Sequence, residues 1–313
     1  MADAFIVHDD RFRKLVFGHA KLEHLWTGAR WAEGPVWLAA SRSLVFSDIP
    51  NDRLLRFDEC DGHVSVFRLP ANNENGHTVD PQGRIISCEH RGRCVSRTEH
   101  DGSRTVLARQ FEGRSLNSPN DVVVRSDGSI WFTDPTYGID TEYEGDAAAS
   151  EIGHSHAFRL DPSTGDLTMV IDDLRQPNGL AFSPDERTLY VVDTGTTHDA
   201  SVTPKIVAYP VEGERLGQGR LFHECDAGLY DGLRVDTAGR VWTSAGDGVH
   251  CIHPDGTLLG RIPVPEIVAN VCFGGRKLNR LFICGQTSLY SIFLNAHGIS
   301  PYAPGLPRTG STR

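Results

Sequence analysis

The feature that most constrains this chain is a repeat of six related segments. Each segment opens with a polar residue, continues as a short apolar strand, turns at residues rich in Gly, Asp, Ser or Asn, and returns as a second apolar strand. Successive opening residues are 42, 45, 58, 53 and 39 positions apart. Units of about 40–50 residues with β-rich strands are typical of propeller blades. The six opening residues are Glu33, Asn75, Asn120, Asn178, Asp231 and Asn270.

The repeat predicts an all-β fold, a six-bladed β-propeller with four-stranded blades. A ring must close without a bare edge strand, so the alternating segment 22–26 is expected to be the fourth strand of the last blade. The two longest spacings predict loops at roughly 139–153 and 195–204, over one mouth of the ring. We expect a single domain over 1–313, with blades at roughly 31–72, 73–115, 116–174, 175–226, 227–266, and 267–294 plus 20–30.

Composition narrows the class of partner. The 31 Lys and Arg stand against 41 Asp and Glu, a formal net charge of −10, which argues against a nucleic-acid or anionic-membrane binder. No apolar stretch is long enough to span a membrane, and the first ten residues lack the features of a signal peptide. Seven cysteines without metal-type spacing are expected to be reduced, buried thiols. We therefore expect a cytoplasmic protein; nothing in the sequence indicates its oligomeric state.

The opening residues occupy equivalent positions, so their side chains should converge around one end of the central channel. All six are oxygen donors and two are carboxylates, which would repel each other unless a positive charge lay among them. A polar residue at a strand start is also a common turn signal, and turn chemistry explains any single opening. It would equally admit Ser, Thr, Gly and Pro, so six oxygen donors in register predict a hard divalent cation.

The chain resembles the SMP-30/gluconolactonase/LRE-like family, and within it the bacterial gluconolactonases. The family fold is a six-bladed propeller, in agreement with the repeat. The matching motifs cover about residues 25–293 and are Trp31–Trp37, Leu116–Val124, Gly128–Gly138, Pro177–Glu186, Asp231–Asp236, Ser244–Val249 and Val268–Gly275.

The resemblance implies a metal site. Position by position, it assigns Glu33, Asn178 and Asp231 as ligands, and Asn120 as a fourth ligand or a substrate-contacting asparagine. Related phosphotriesterase-like propellers hold a catalytic calcium with the same Glu, Asn, Asn, Asp set. Oxygen ligands favour Ca²⁺, while Mg²⁺, Mn²⁺, Zn²⁺ and Fe²⁺ stay open.

The activity implied is the hydrolysis of sugar lactones such as glucono-1,5-lactone to aldonic acids. The metal would polarise the lactone carbonyl, and Asp231 is the candidate group that activates water. Two alternatives keep the site and change the substrate: another sugar lactone (xylono-, arabino- or galactonolactone), or a phosphotriester. A third, of another class, is a non-enzymatic calcium-binding scaffold. The chain has no Gly-x-Ser-x-Gly motif, so a serine nucleophile is not expected.

Substrate contacts are predicted from positions near the same face. Tyr137 follows a strand end and enters the first large loop, and His90 is expected to be exposed in a loop after the second strand of blade two. The predicted substrate-binding residues are Asn75, Glu89, His90, Asn120 and Tyr137.

Three further histidines need an interpretation. His77 follows the opening of blade two, where we expect it to pack on its strand rather than reach the mouth. His154 and His156 share one strand face as a zinc pair would. Because no carboxylate or cysteine lies at a matching spacing, a solvated strand entry is the preferred interpretation.

Overall fold

Strands of short, alternating or fully apolar sequence make up nearly all of the regular structure. The computed structural model of the protein describes residues 5–300. Six antiparallel sheets of four or five strands follow one another along the chain. The first strand of each sheet contacts the first strand of the next, and that of the sixth sheet contacts that of the first. These contacts close a ring, which confirms the predicted six-bladed propeller.

Blades one to three follow the predicted order of strands from the channel outwards. A short hairpin, Gln110–Phe111 with Arg114–Ser115, connects blade two to blade three, and the helix Tyr137–Asp140 lies within blade three. The strands are Ala32–Leu38, Ser43–Asp48, Arg53–Asp58 and Val64–Arg68 in blade one; Glu74–Val79, Ile85–Glu89, Cys94–Thr98 and Arg104–Ala108 in blade two; and Val122–Val124, Ile130–Asp134, His156–Leu160 and Leu167–Ile171 in blade three.

Blades four to six continue in the same way. Short 3-10 turns occur at Asp10–Lys14, Ile49–Asn51 and Gly195–Thr197. The strands are Pro177–Phe182, Thr188–Asp193, Lys205–Glu212 and Arg220–Glu224 in blade four; Leu233–Val235, Val241–Ala245, Gly248–Ile252 and Leu258–Pro263 in blade five; and Val268–Gly274, Arg280–Gly285, Ser288–Phe293 and Glu23–Thr27 in blade six.

An N-terminal strand completes the ring. Glu23–Thr27 pairs antiparallel with Ser288–Phe293 as the fourth strand of blade six, so the predicted closure is confirmed. The segment Ile6–Val7 adds a fifth strand to the outer edge of blade five. The sequence did not predict this strand because two residues carry no readable alternation.

The core is divided among the interfaces between blades. Six apolar clusters each join strands of two neighbouring blades. Trp37 of blade one stacks on Phe282 of blade six, with ring centroids 5.5 Å apart. Trp242 of blade five meets Phe273 of blade six edge-on at 6.0 Å. Burial of these rings stabilises each blade only against its neighbours, so the blades depend on the closed ring.

The remaining sequence expectations concern cysteines, membranes and domain extent. All seven cysteines are free thiols, and Cys60 is exposed rather than buried. Within residues 5–300 no helix is long and apolar enough to cross a membrane. The single domain over 1–313 extends to residues 1–4 and 301–313, which lie outside the described part of the chain, and it stays a prediction.

Candidate active site

Close contacts between neighbouring blades determine where the opening residues lie. The amide of Gly76 donates to the carbonyl of Asn120 across 2.8 Å, and that of Gly179 donates to the carbonyl of Asp231 across 3.0 Å. A Cβ atom on either glycine would lie within 2.4 Å of the same carbonyl oxygen. The polar-Gly pairs of the repeat therefore combine a side chain for the channel with a glycine that admits the next blade.

Hydroxyl groups from the second strands hold the backbone of the openings. Ser47 Oγ donates to the carbonyl of Asn75 and Thr133 Oγ1 to that of Asn178, each across 2.9 Å. Ser244 Oγ accepts the amide of Asp231 at 2.9 Å. The sequence signal for these positions is a Ser or Thr one or two residues before the end of the second strand, which blades one, two, three and five carry and blades four and six lack.

Two carboxylates meet at the mouth of the channel, the end where the openings lie. Glu33 accepts hydrogen bonds from the Asn270 amide at 2.9 Å and from the N–H of Gly34, while burial raises its pKa to about 7. Burial and then the charge of Glu33 raise the pKa of Asp231 well above its usual range, and a hydrogen bond from Asn178 lowers it. The structure thus brings Glu33, Asp231 and Asn178 together.

An ion pair lies beside this carboxylate pair. Arg234 Nη1 is 3.3 Å from Asp121 Oδ2 and also donates to the carbonyl of Leu233 at 2.7 Å. The guanidinium lowers the pKa of Glu33, whereas the carboxylate of Asp121 raises it. Sequence reasoning missed both residues, although each follows an opening by one or three positions.

His77 is buried next to Gly34, the residue that follows Glu33. Its Nδ1 is 2.7 Å from the carbonyl of Gly34, and its Nε2 is 3.1 Å from Glu74 Oε2. With 1% exposure it packs between blades one and two, as expected, and does not reach the mouth.

His90 is fully buried, which corrects the expectation of an exposed loop histidine. Its Nδ1 lies 3.1 Å from the carbonyl of Glu144, and its Nε2 lies 3.2 Å from the Asn75 amide nitrogen. Burial lowers the pKa of His90 to about 4, so the ring is neutral. A neutral ring with its proton on Nδ1 donates to the carbonyl and accepts from Asn75. His90 therefore orients Asn75 through a hydrogen bond.

Tyr137 lies at the mouth, but its hydroxyl group is engaged. It bonds to Thr194 Oγ1 and, at 2.9 Å, to Thr197 Oγ1. Burial raises the pKa of Tyr137, as does the nearby charge of Asp231. The hydroxyl group of Tyr137 is thus joined to the loop of blade four.

Glu89 is held by hydrogen bonds from neighbouring side chains. Its carboxylate accepts from Asn72 at 3.0 Å and from Arg104 at 3.1 Å, beneath the loop that leads to the third strand of blade two. The strand-end acid of blade two therefore supports a loop, a role that strand position alone could not distinguish from substrate binding.

The two long loops are joined to each other. His198 Nε2, in the loop of blade four, is 2.8 Å from Asp140 Oδ2 at the end of the blade-three helix. The charge of Glu144, in the loop that follows this helix, raises the pKa of Asp231. The loop of blade three thus reaches the mouth.

The donor set of the mouth fits a hard cation. Glu33 is buried and Asp231 is half-buried; both carboxylates have raised pKa values and lie together with amide side chains, and oxygen donors of this kind suit Ca²⁺ or Mg²⁺. Within residues 5–300 no group of three or more His, Cys, Asp or Glu side chains is arranged to hold a metal, so His154 and His156 form no such zinc site. Any cation at the mouth must be held partly by amides.

A second concavity opens at the other end of the channel. It has a volume of about 190 Å³ and is lined mainly by apolar side chains, among them Val79, Phe182 and Phe273. The carboxylates Glu33 and Asp231 do not line it, whereas Arg234, which pairs with Asp121 beside them, does.

A closed six-bladed propeller with carboxylates and amides gathered at one mouth belongs to the class of propeller hydrolases. The chain belongs to the SMP-30/gluconolactonase/LRE-like family, which matches residues 31–287. It is 30% identical to the gluconolactonase of Zymomonas mobilis over 88% of this chain and 82% of the relative. It is 31% identical to the pentonolactonase XacC of Haloferax volcanii, over 82% of each protein.

A solved structure extends this likeness. XC5397 from Xanthomonas campestris, described as a gluconolactonase, superposes with a TM-score of 0.87 at 39% identity, over 93% of this chain and 94% of that one. The predicted family and the predicted enzyme class, a lactone hydrolase, are confirmed.

Proposed function

We propose that the protein opens sugar lactones of the glucono-1,5-lactone type to aldonic acids, with one divalent cation at the mouth. The observation that carries the proposal is the pair of neighbouring carboxylates, the buried Glu33 and the half-buried Asp231, each with a raised pKa. Such a pair is costly in a protein interior unless a positive charge balances it. The names of the relatives, a gluconolactonase and a pentonolactonase, support the substrate class.

The proposed ligands are Glu33, Asn120, Asn178 and Asp231. A cation bound there supplies positive charge that polarises the lactone carbonyl. Ca²⁺ is proposed because all four donors are oxygens and the ring of strands can accommodate more than four ligands.

The residues of the chain supply the proton transfers and the orientation. Asp231 accepts a proton from the attacking water as the new C–O bond forms, and the proton passes to the ring oxygen when the lactone C–O bond breaks. Asn75, held by His90, and Asn120 would bind substrate oxygens or hydroxyl groups. The ring of Tyr137 would pack against the sugar.

The preferred sugar is open between six- and five-carbon aldonolactones, because the relatives include enzymes named for each. A phosphotriester is the less favoured substrate. The free thiols within residues 5–300 support the cytoplasmic location that we propose.

A metal-stripped preparation reloaded with single ions tests the proposal. We expect hydrolysis of glucono-1,5-lactone to disappear after chelation and to return with one divalent ion bound per chain, measured by acid release and elemental analysis. Undiminished hydrolysis by protein shown to contain no metal would refute the cation. Hydrolysis of phosphotriesters but of no lactone in the panel would refute the substrate class.

A further inference from the structure

One carboxylate at the mouth has no role in the mechanism above. Glu144 lies in the loop between the helix Tyr137–Asp140 and the strand His156–Leu160, and its charge raises the pKa of Asp231. Its side chain is 23% exposed. The sequence predicts this loop over one mouth of the ring, but it does not indicate that an acid within the loop has a role there.

The backbone at Glu144 is held on both sides. His90 donates from Nδ1 to the carbonyl of Glu144 at 3.1 Å. The next residue, Gly145, is packed closely against the backbone of Gly138. A Cβ atom at position 145 would lie 2.1 Å from the carbonyl oxygen of Gly138. These contacts fix the backbone from which the side chain of Glu144 extends beside the mouth.

The carboxylate itself has no donor from the protein. No hydrogen bond to it is formed within residues 5–300, and His90 Nδ1, which lies 3.9 Å from Glu144 Oε2, already donates to the carbonyl of Glu144. Burial, with the charge of Asp140, raises the pKa of Glu144 to about 7. This partly exposed carboxylate can therefore accept hydrogen bonds from a ligand rich in hydroxyl groups.

Resting on the proposed function, we propose that Glu144 is the specificity-determining residue that accepts hydrogen bonds from the hydroxyl groups of the sugar lactone. The carbonyl end of the substrate lies towards Glu33 and Asp231, and the hydroxylated part lies towards the loop. A site that leaves a carboxylate unpaired discriminates against lactones without hydroxyl groups.

Two lactones with the same ring test this role. For Glu144→Ala we expect the KM for glucono-1,5-lactone to rise about 10-fold or more, because hydrogen bonds to a charged acceptor are lost. Hydrolysis of δ-valerolactone, which has no hydroxyl groups, is expected to change much less, only through the lowered pKa of Asp231. Glu142→Gln, in the same loop, is the matched control and should behave as the wild type on both substrates.

Binding of the non-hydrolysable ring polyol 1,5-anhydroglucitol separates this inference from the proposed function. We expect calorimetry to show weaker binding to Glu144→Ala than to the wild type at equal metal content, whether or not turnover is observed. Equal binding to both proteins, equal losses on both lactones, or loss of metal from the variant would each overturn the role. A wild type that binds the polyol but opens no lactone would refute the proposed function alone.

Discussion

The acidic side chains of the interior differ in whether a positively charged side chain lies next to them. Glu74 is as buried as Glu33, yet hydrogen bonding by His77 and the charge of Arg68, 2.6 Å away, hold its pKa below the usual value. Glu33 and Asp231 have no such close partner, and their pKa values are raised. At the scale of residues, the mouth is thus distinguished by uncompensated negative charge.

Asp231→Asn tests the part played by that charge. We expect turnover of lactone to fall by about 10²–10⁴-fold, because the proton acceptor is lost. The metal-free variant should unfold at the same or a higher temperature than metal-free wild type, since repulsion from Glu33 disappears. Wild-type turnover would rule out Asp231 as the base; a large loss of thermal stability would indicate a structural role instead.

At the scale of elements, the ends of second strands connect the rigid blades to the loops of the mouth. Asp134 ends the second strand of blade three and accepts the amide of Asn117 at 2.8 Å, while its Oδ1 has no partner in the described part of the chain. Tyr137, three residues later, joins the loop of blade four through Thr194 and Thr197. These contacts determine how firmly the loops are held.

Tyr137→Phe removes the hydroxyl group that joins the two loops and keeps the ring. We expect unfolding to become easier by about 0.5–1.5 kcal/mol, as for the loss of ordinary hydrogen bonds. The KM for lactone should rise a few-fold with kcat nearly unchanged, measured by steady-state kinetics. A large fall in kcat at unchanged KM would instead place the hydroxyl in the chemical step.

The raised pKa of Asp134 makes the free energy of unfolding depend on pH. Burial raises its pKa from 3.8 to about 7, so the folded protein keeps a proton that the unfolded chain has lost. This contribution is complete below about pH 4 and is lost as the pH rises through about 7. Asp134→Asn should therefore flatten the fall in unfolding free energy over this window, by on the order of a few kcal/mol.

Urea unfolding at a series of pH values measures this effect. Because Glu33, Glu144 and Asp231 also have raised pKa values, the wild-type curve alone does not isolate Asp134. The difference between wild type and variant does. A difference that stays constant from pH 4 to pH 8 would contradict the assignment.

At the scale of the whole molecule, the ring depends on a strand from the opposite end of the chain. Glu23–Thr27 covers the edge of Ser288–Phe293, and Trp26 packs against Phe46 of blade one. Blade six itself therefore joins residues about 260 positions apart. The contacts that close the ring are of the same kind as those between other blades. Without closure, blades one and six would each lose one neighbouring blade.

Removal of residues 1–27 tests closure. We expect the shortened protein to aggregate or to lose its cooperative thermal transition, because the edge of Ser288–Phe293 is left bare. Removal of residues 1–8 is the control; it deletes the extra strand of blade five and the contact of Phe5 with Phe12, and it should leave a cooperative transition at a somewhat lower temperature. A cooperative transition at the wild-type temperature after the longer deletion would contradict a structural role for the closing strand.

Much of the fold was predictable because its information is local and repeated. The opening residue, the turn and the second strand recur within about 15 positions, and six repetitions make a weak signal decisive. The openings of the first strands, Glu33 and Asp231 among them, could be aligned by the same register. The added strand Ile6–Val7 lies outside the repeat and was missed.

The sequence by itself determined the propeller and its closure, because periodic apolar strands have one efficient way to bury their faces; it also predicted which opening residues would line the mouth. Only the tertiary structure decided which acids are compensated, that His90 is buried against Asn75, and that Glu89 serves a loop. It also brought Glu144 to the mouth. Burial and charge balance depend on contacts between side chains of different blades. The spacing of residues along the chain does not predict those contacts.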